Sequence, residues 1–134
     1  MILVDSSVWI DLLRDVQTPQ TLVLRDLLSR HKAALAQVIY QEILQGAASP
    51  ERFDKLKRYF STLPFLEASH PIQTWEAAAE IYMRCRQQGF TPRSPHDCLV
   101  ARIALEHDAL LLHDDKDFEV IAKVEPGLRL FVAV

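Results

Sequence analysis

The sequence predicts an α/β fold with a central, mainly parallel β-sheet flanked by helices. Three observations carry that prediction. Apolar runs of strand length alternate with longer stretches whose apolar residues recur at helical spacing, the order expected of a parallel sheet covered by helices. The runs Met1 to Val4 and Ala109 to Leu112 are continuously apolar, as strands buried on both faces must be. The 134 residues suffice for one core and leave too little chain for a second, so a single domain over residues 1–134 is expected.

The elements follow in order. Met1 to Val4 is the first strand, and Asp5, Ser6 and Ser7 offer N-cap oxygens to a short helix whose apolar residues are Val8, Trp9, Leu12 and Leu13. Thr18 and Pro19 open a second helix to about Ser29, with Leu24, Leu27 and Leu28 on one face. Ala33 to Ala36 reads as a short strand, and a third helix runs from Val38 to Gly46, a C-terminal stop. Ser49-Pro50-Glu51 starts a fourth, in which Phe53, Leu56 and Phe60 share a face. Leu63 to Leu66 is expected as an edge strand, because Pro64 lacks a ladder donor. After Pro71 comes a long helix closed by Gly89, with Trp75, Ala78, Ala79 and Tyr82 as its core stripe. Ser94 caps and Pro95 begins the next helix, which Leu99, Val100, Ile103 and Ala104 bury. Ala109 to Leu112 and Leu128 to Val132 are the last strands, connected through Asp114, Asp115, Lys116, Asp117 and Phe118.

Composition excludes several classes. Hydrophobic residues at 49% and charged residues at 25% are those of an ordinary soluble domain, and 3 Gly with 7 Pro rule out collagen-like or low-complexity character. No apolar run approaches the roughly 18 to 20 residues of a bilayer crossing. Met1 runs straight into Ile2, Leu3, Val4 and Asp5, with no basic leader segment or cleavage site, so a cytoplasmic protein is expected. Cys85 and Cys98 form no metal-binding spacing and are expected to be buried free thiols.

The functional signal is a recurrence of carboxylates at or beside the ends of apolar segments: Asp5, Glu42, Asp97 and Asp115. Each has an innocent alternative as a cap, a first-turn dipole partner, a solvated helix residue or a turn former, and Asp114 and Asp117 share the last. Those alternatives treat each acid separately and give no reason for an apolar strand to precede both Asp5 and the Asp114 to Asp117 group. Desolvated carboxylates need a partner, a proton or a metal, and several together suggest a shared cation. In open α/β sheets, sites form outside the carboxyl ends of the strands, where Asp5 and Asp115 fall; a helix preceding a parallel strand starts at that end, which brings Asp97 there. Glu42 reaches inward from a neighbouring helix. The net charge of −3 argues against a polyanion partner only until the acids are set apart: taking away the five charges of Asp5, Glu42, Asp97, Asp115 and Asp117 turns −3 into +2 for the rest. Basic clusters at Arg30-His31-Lys32, at Arg52 to Arg58 and at Arg84, Arg86 and Arg93 permit an RNA partner.

The opening Ile2-Leu3-Val4-Asp5-Ser6-Ser7-Val8-Trp9-Ile10-Asp11 resembles the first motif of PIN-domain ribonucleases, specifically VapC-type toxins. The resemblance continues in Tyr40 to Gly46 around Glu42, in Pro95 to Ala101 around Asp97, and in Leu112 to Phe118 around Asp115, spanning essentially the whole chain. It implies an acidic site of Asp5, Glu42, Asp97 and Asp115, with Asp5, Asp97 and Asp115 as metal ligands and Ser7 supporting Asp5. His113 departs from the Thr or Ser of many relatives. The implied reaction is hydrolysis of RNA with Mg2+, or Mn2+ as substitute, leaving a 5′-phosphate and a 3′-hydroxyl. Hard cations suit such oxygen donors, and Glu42 would orient or deprotonate the attacking water. Substrates implied are single-stranded or loop segments of tRNA, rRNA or mRNA. A VapB-type antitoxin is the implied partner; Phe53, Leu56 and Phe60 are expected in the core, with part of that face able to support a homodimer.

Two other classes compete. A haloacid dehalogenase-like phosphatase would use Asp5 as nucleophile, yet it wants a second Asp where Ser7 stands. A non-catalytic binding module would retain the fold without turnover, against which the complete set of acids argues.

Overall fold

A computed structural model describes residues 1–133. The strands are β1 (Ile2–Val4), β2 (Ala33–Ala34) and β3 (Leu110–Leu112), all parallel in the order β2-β1-β3. Ile2 pairs with Ala33 and Leu110, so β1 is central and its Leu3 and Val4 are wholly buried. The helices are α1 (Ser6–Leu13), α2 (Pro19–Ser29), α3 (Gln37–Gln45), α4 (Pro50–Phe60), α5 (Pro71–Gln87), α6 (Pro95–Glu106) and α7 (Lys116–Val124).

Local chemistry explains the boundaries. Asp5 caps α1 by accepting from the Ser7 amide, and Thr18 and Thr21 form a reciprocal capping box at α2. Pro begins α2, α4, α5 and α6, where its missing N–H has no helical partner to lose. Trp9 is fully buried, donates its indole N–H to the Val4 carbonyl at 3.1 Å and meets Phe60 edge-on with centroids 5.0 Å apart. That contact joins α1 to α4 beneath the sheet end that carries Asp5.

Four expectations need correction. Leu63 to Leu66 is not a strand: its pairing is a single bridge, Leu35 to Phe65, made by Leu35 N to Pro64 O and Leu66 N to Leu35 O. Leu128 to Val132 likewise contributes one bridge, Leu111 to Leu130. Both segments extend the sheet outward without becoming strands, and Pro64 can donate nothing to lengthen the first. On α5 the buried stripe is Thr74, Ala78, Ile81 and Cys85, rotated by one residue from the expected one; Trp75 is 50% exposed and Ala79 is exposed. Thr74 is buried without penalty because its hydroxyl donates to Glu106 at 2.8 Å, and Glu106 is held in turn by Arg102. Finally, the connection after β3 contains α7, which buries Phe118, Ile121 and Val124; the Asp-rich stretch read as a turn is its N-terminus.

Phe60 and Leu56 lie in the core, whereas Phe53 is 39% exposed. Cys85 and Cys98 are buried free thiols, as expected. Among the described residues no helix is long and apolar enough to cross a membrane.

Candidate active site

The carboxyl ends of β1 and β3 are adjacent, and Asp5 continues the ladder by donating its amide to the Leu112 carbonyl at 2.9 Å. This puts Asp5 beside the chain that reaches Asp115 three residues later. Three acids sit at helix N-termini: Asp5 caps α1, Asp97 lies in the first turn of α6, and Asp115 caps α7. The cap reading and the site reading are therefore both true of these residues. Helix N-termini also supply the partial positive charge that lets so many carboxylates gather.

The tightest group comprises Asp97, Asp115 and Asp117, each of which offers a carboxylate oxygen within 4.8 Å of the others. Asp5, 4% exposed, and Glu42 lie near enough for their charges to act on Asp97. Asp5 Oδ2 accepts from the Ser7 amide at 3.1 Å and the Ser7 hydroxyl at 2.7 Å, and that hydroxyl accepts from the Asp114 amide at 3.1 Å. Ser7 thus joins the end of β1 to the end of β3. Glu42 Oε2 accepts from the Ser6 hydroxyl at 2.8 Å. The His113 departure leaves local support intact, because His113 Nδ1 accepts from the Asp115 amide at 3.1 Å and the ring packs on Phe118.

Electrostatics register the crowding. Burial, followed by the charges of Asp5, Asp115, Asp117 and Glu42, pushes the Asp97 carboxyl up to about 7. Burial likewise raises Asp5, against the opposing pull of its Ser7 hydrogen bonds. Carboxylates held this close retain protons unless a cation offsets their charge. The donors are all oxygen, with no His or Cys among the triad, which suits a hard divalent ion such as Mg2+ or Mn2+.

Two roles escaped the sequence reading. Asp117, grouped there with the acids but not assigned to the site, belongs to the triad. Arg93, taken there only as part of a basic cluster, pairs with it: its Nε donates to Asp117 Oδ2 at 3.2 Å and its Nη2 to Asp115 Oδ1 at 2.9 Å. These pairs span 24 and 22 residues of sequence, beyond the reach of any local spacing argument.

A sequence profile of the PIN domain matches residues 2–124, and the chain belongs to the PIN-domain family. Its relatives in that family include VapC proteins. It is 39% identical over 126 residues to VapC ribonuclease Mb1587 of Mycobacterium bovis and to ribonuclease VapC11 of Mycobacterium tuberculosis, covering 92% of this chain and 93% of each relative. Among solved structures it superposes on a chain of VapBC2 from Rickettsia felis bound to a DNA fragment from their promoter, with TM-score 0.73, 18% identity and 98% of both chains covered. FitAcB from Neisseria gonorrhoeae gives 0.69 at 15% identity, covering 99% of this chain and 98% of that one. A toxin-antitoxin complex from Klebsiella pneumoniae gives 0.65 at 19% over the whole of both chains. At these identities the likeness to the solved structures is one of fold.

Proposed function

We propose that this protein is a divalent-metal-dependent endoribonuclease of the VapC type, a single PIN domain that hydrolyses RNA phosphodiester bonds. The observation that carries the reading is the convergence of Asp97, Asp115 and Asp117, with Asp5 beside them, at the carboxyl ends of adjacent parallel strands. Its 39% identity to proteins named as VapC ribonucleases supports it.

Asp5, Asp97 and Asp115 would hold Mg2+, or Mn2+ as a substitute, with Asp117 as a further oxygen donor. When bound, such an ion supplies Lewis acidity, offsetting charge on the phosphoryl group and lowering the pKa of a water. Ser7 and the α1 N-terminus orient Asp5 through the two hydrogen bonds to its Oδ2, which oppose the upward shift that burial imposes on its carboxyl. Glu42, which accepts a hydrogen bond from Ser6, would orient or deprotonate the attacking water. Cleavage then leaves a 5′-phosphate and a 3′-hydroxyl. The substrate class is a single-stranded or loop segment of tRNA, rRNA or mRNA.

A nuclease of this kind requires restraint, and a VapB-type antitoxin is the proposed partner; a homodimer in the cytoplasm is the proposed state. The likeness in fold to chains of VapBC and other toxin-antitoxin complexes supports the partner class. The test is incubation of labelled total tRNA and rRNA with the purified protein and Mg2+ or Mn2+, beside Asp97→Asn and an EDTA control. Discrete fragments absent from both controls are expected. Intact RNA with folded, antitoxin-free protein would replace this reading with a binding module, and phosphate release from a small phosphomonoester would favour a phosphatase.

A further inference from the structure

Arg93 lies in the loop that enters α6 and projects over the acids that begin α7. Its side chain is 77% exposed, yet two of its donors are fixed on carboxylates of the site, Nε on Asp117 Oδ2 and Nη2 on Asp115 Oδ1. A role in stability accounts poorly for this arrangement. A guanidinium this exposed is screened by solvent, so its ion pairs add little to stability. The loop is also already anchored without the side chain, because the Arg93 backbone amide donates to Asp117 Oδ2 at 2.9 Å.

The distribution of atoms is informative. Arg93 engages Oδ1 of Asp115 and Oδ2 of Asp117; among the described residues, Asp115 Oδ2 and Asp117 Oδ1 accept no hydrogen bond. The guanidinium and a cation therefore need not compete for the same oxygens. Nη1 donates to no described residue either, so the fork is held rigidly on one edge and presents unused N–H donors to solvent beside the acid triad. A planar, always-charged fork with free donors is the group best suited to phosphate oxygens. Among the described residues it is also the one cation bound directly to the triad's carboxylates, where a polyanion would otherwise be repelled.

Resting on the ribonuclease reading, we propose that Arg93 is a substrate-binding residue: oriented by Asp115 and Asp117, it contacts a phosphate of the RNA backbone next to the bond being cleaved. Asp117 has a corresponding second task, holding Arg93 by backbone and side chain alike.

The experiment uses the full chain, free of antitoxin, carrying Asp97→Asn so that a fluorescein-labelled RNA cut by the wild type stays intact. RNA affinity by fluorescence anisotropy is compared with and without Arg93→Gln and Arg93→Lys across a salt series. Arg93→Gln is expected to weaken binding about tenfold and to reduce the slope of log affinity against log salt by about 0.7, one single-strand phosphate contact. Arg93→Lys is expected to restore the slope and only part of the affinity, since it returns the charge without the fork. Mn2+ affinity of Arg93→Gln with Asp97 intact, read by electron paramagnetic resonance, is expected to be undiminished. Unchanged RNA affinity and slope would overturn the assignment. So would an unchanged slope with weakened Mn2+ binding, which would make Arg93 a clamp for the acids. If the wild type neither binds nor cleaves RNA, the ribonuclease reading fails first, an outcome distinct from RNA binding that ignores Arg93.

Discussion

The hydroxyl of Ser6 donates a 2.8 Å hydrogen bond to Oε2 of Glu42, joining the first residue of α1 to the middle of α3 across 36 positions. Ser6 is buried and Glu42 half-buried, so the serine selects one orientation of a carboxylate that otherwise has several. Glu42 needs that help because, unlike Asp5, Asp97 and Asp115, it does not stand at a helix N-terminus that would orient it.

Ser6→Ala should therefore lower kcat for RNA cleavage by about tenfold, equivalent to roughly 1.4 kcal/mol, the size of one hydrogen bond to a charged group. Metal affinity should hold, since Asp5, Asp97 and Asp115 are untouched. Single-turnover cleavage together with a Mn2+ titration checks both; a loss of metal affinity equal to the loss of rate would contradict the assignment to Glu42.

The acid cluster sets the pH dependence of stability in the metal-free protein. The Asp97 carboxyl is pushed up to about 7 from 3.8, and Asp5 is raised from the same starting value. The folded state therefore binds more protons than the unfolded state between roughly pH 4 and 7, so stability falls as pH rises through that range. Glu106 works the other way: burial raises it, but hydrogen bonds from Ser69, Thr74 and Arg102 together outweigh burial and lower it, and its contribution is lost as pH falls below its ordinary 4.5. Thermal melts in EDTA should peak near pH 5 and decline toward pH 8, with Mn2+ flattening the decline. A Tm that climbs steadily to pH 8 without metal would refute this.

Asp97→Asn removes the charge that faces Asp5, Asp115, Asp117 and Glu42. In EDTA at pH 8 it should raise Tm by roughly 3 to 8 °C, about 1 to 2 kcal/mol, while abolishing cleavage. A lowered Tm would mean that the carboxylate is worth more to the α6 dipole in its first turn than it costs as a crowded charge.

The two tryptophans should respond in opposite ways. Trp9→Ala removes a fully buried ring and its bond to the Val4 carbonyl, for a loss of about 3 to 5 kcal/mol. Trp75→Ser, at a half-exposed position, should change stability by less than about 1 kcal/mol. Urea denaturation of both variants measures the difference, and similar losses would show that Trp75 is covered in solution.

Why some of this was legible in the sequence follows from the range of the interactions concerned. Asp5, Asp97 and Asp115 were readable because each follows a local rule: an acid after an apolar strand, or in the first turn of a helix leading to a parallel strand. α7 was missed because Asp114, Asp115 and Asp117 resemble a turn, and the same Asx chemistry that makes turns also caps helices. The rotation of the α5 stripe turned on Thr74, whose burial depends on Glu106, 32 residues away. Arg93 and Asp117 likewise acquire meaning only when the α6 and α7 N-termini meet.

Of the three described residues other than glycine with left-handed backbone conformations, two lie between a helix and a strand, His31 at φ 56° before β2 and Asp108 at φ 49° before β3. Both are exposed and lie where parallel strands begin, at the pole opposite the acids. The molecule thus has a far side on which new chain termini, a fluorophore or a fused reporter can be installed while the reactive pole is left intact. Glycine at either position would also ease the turn.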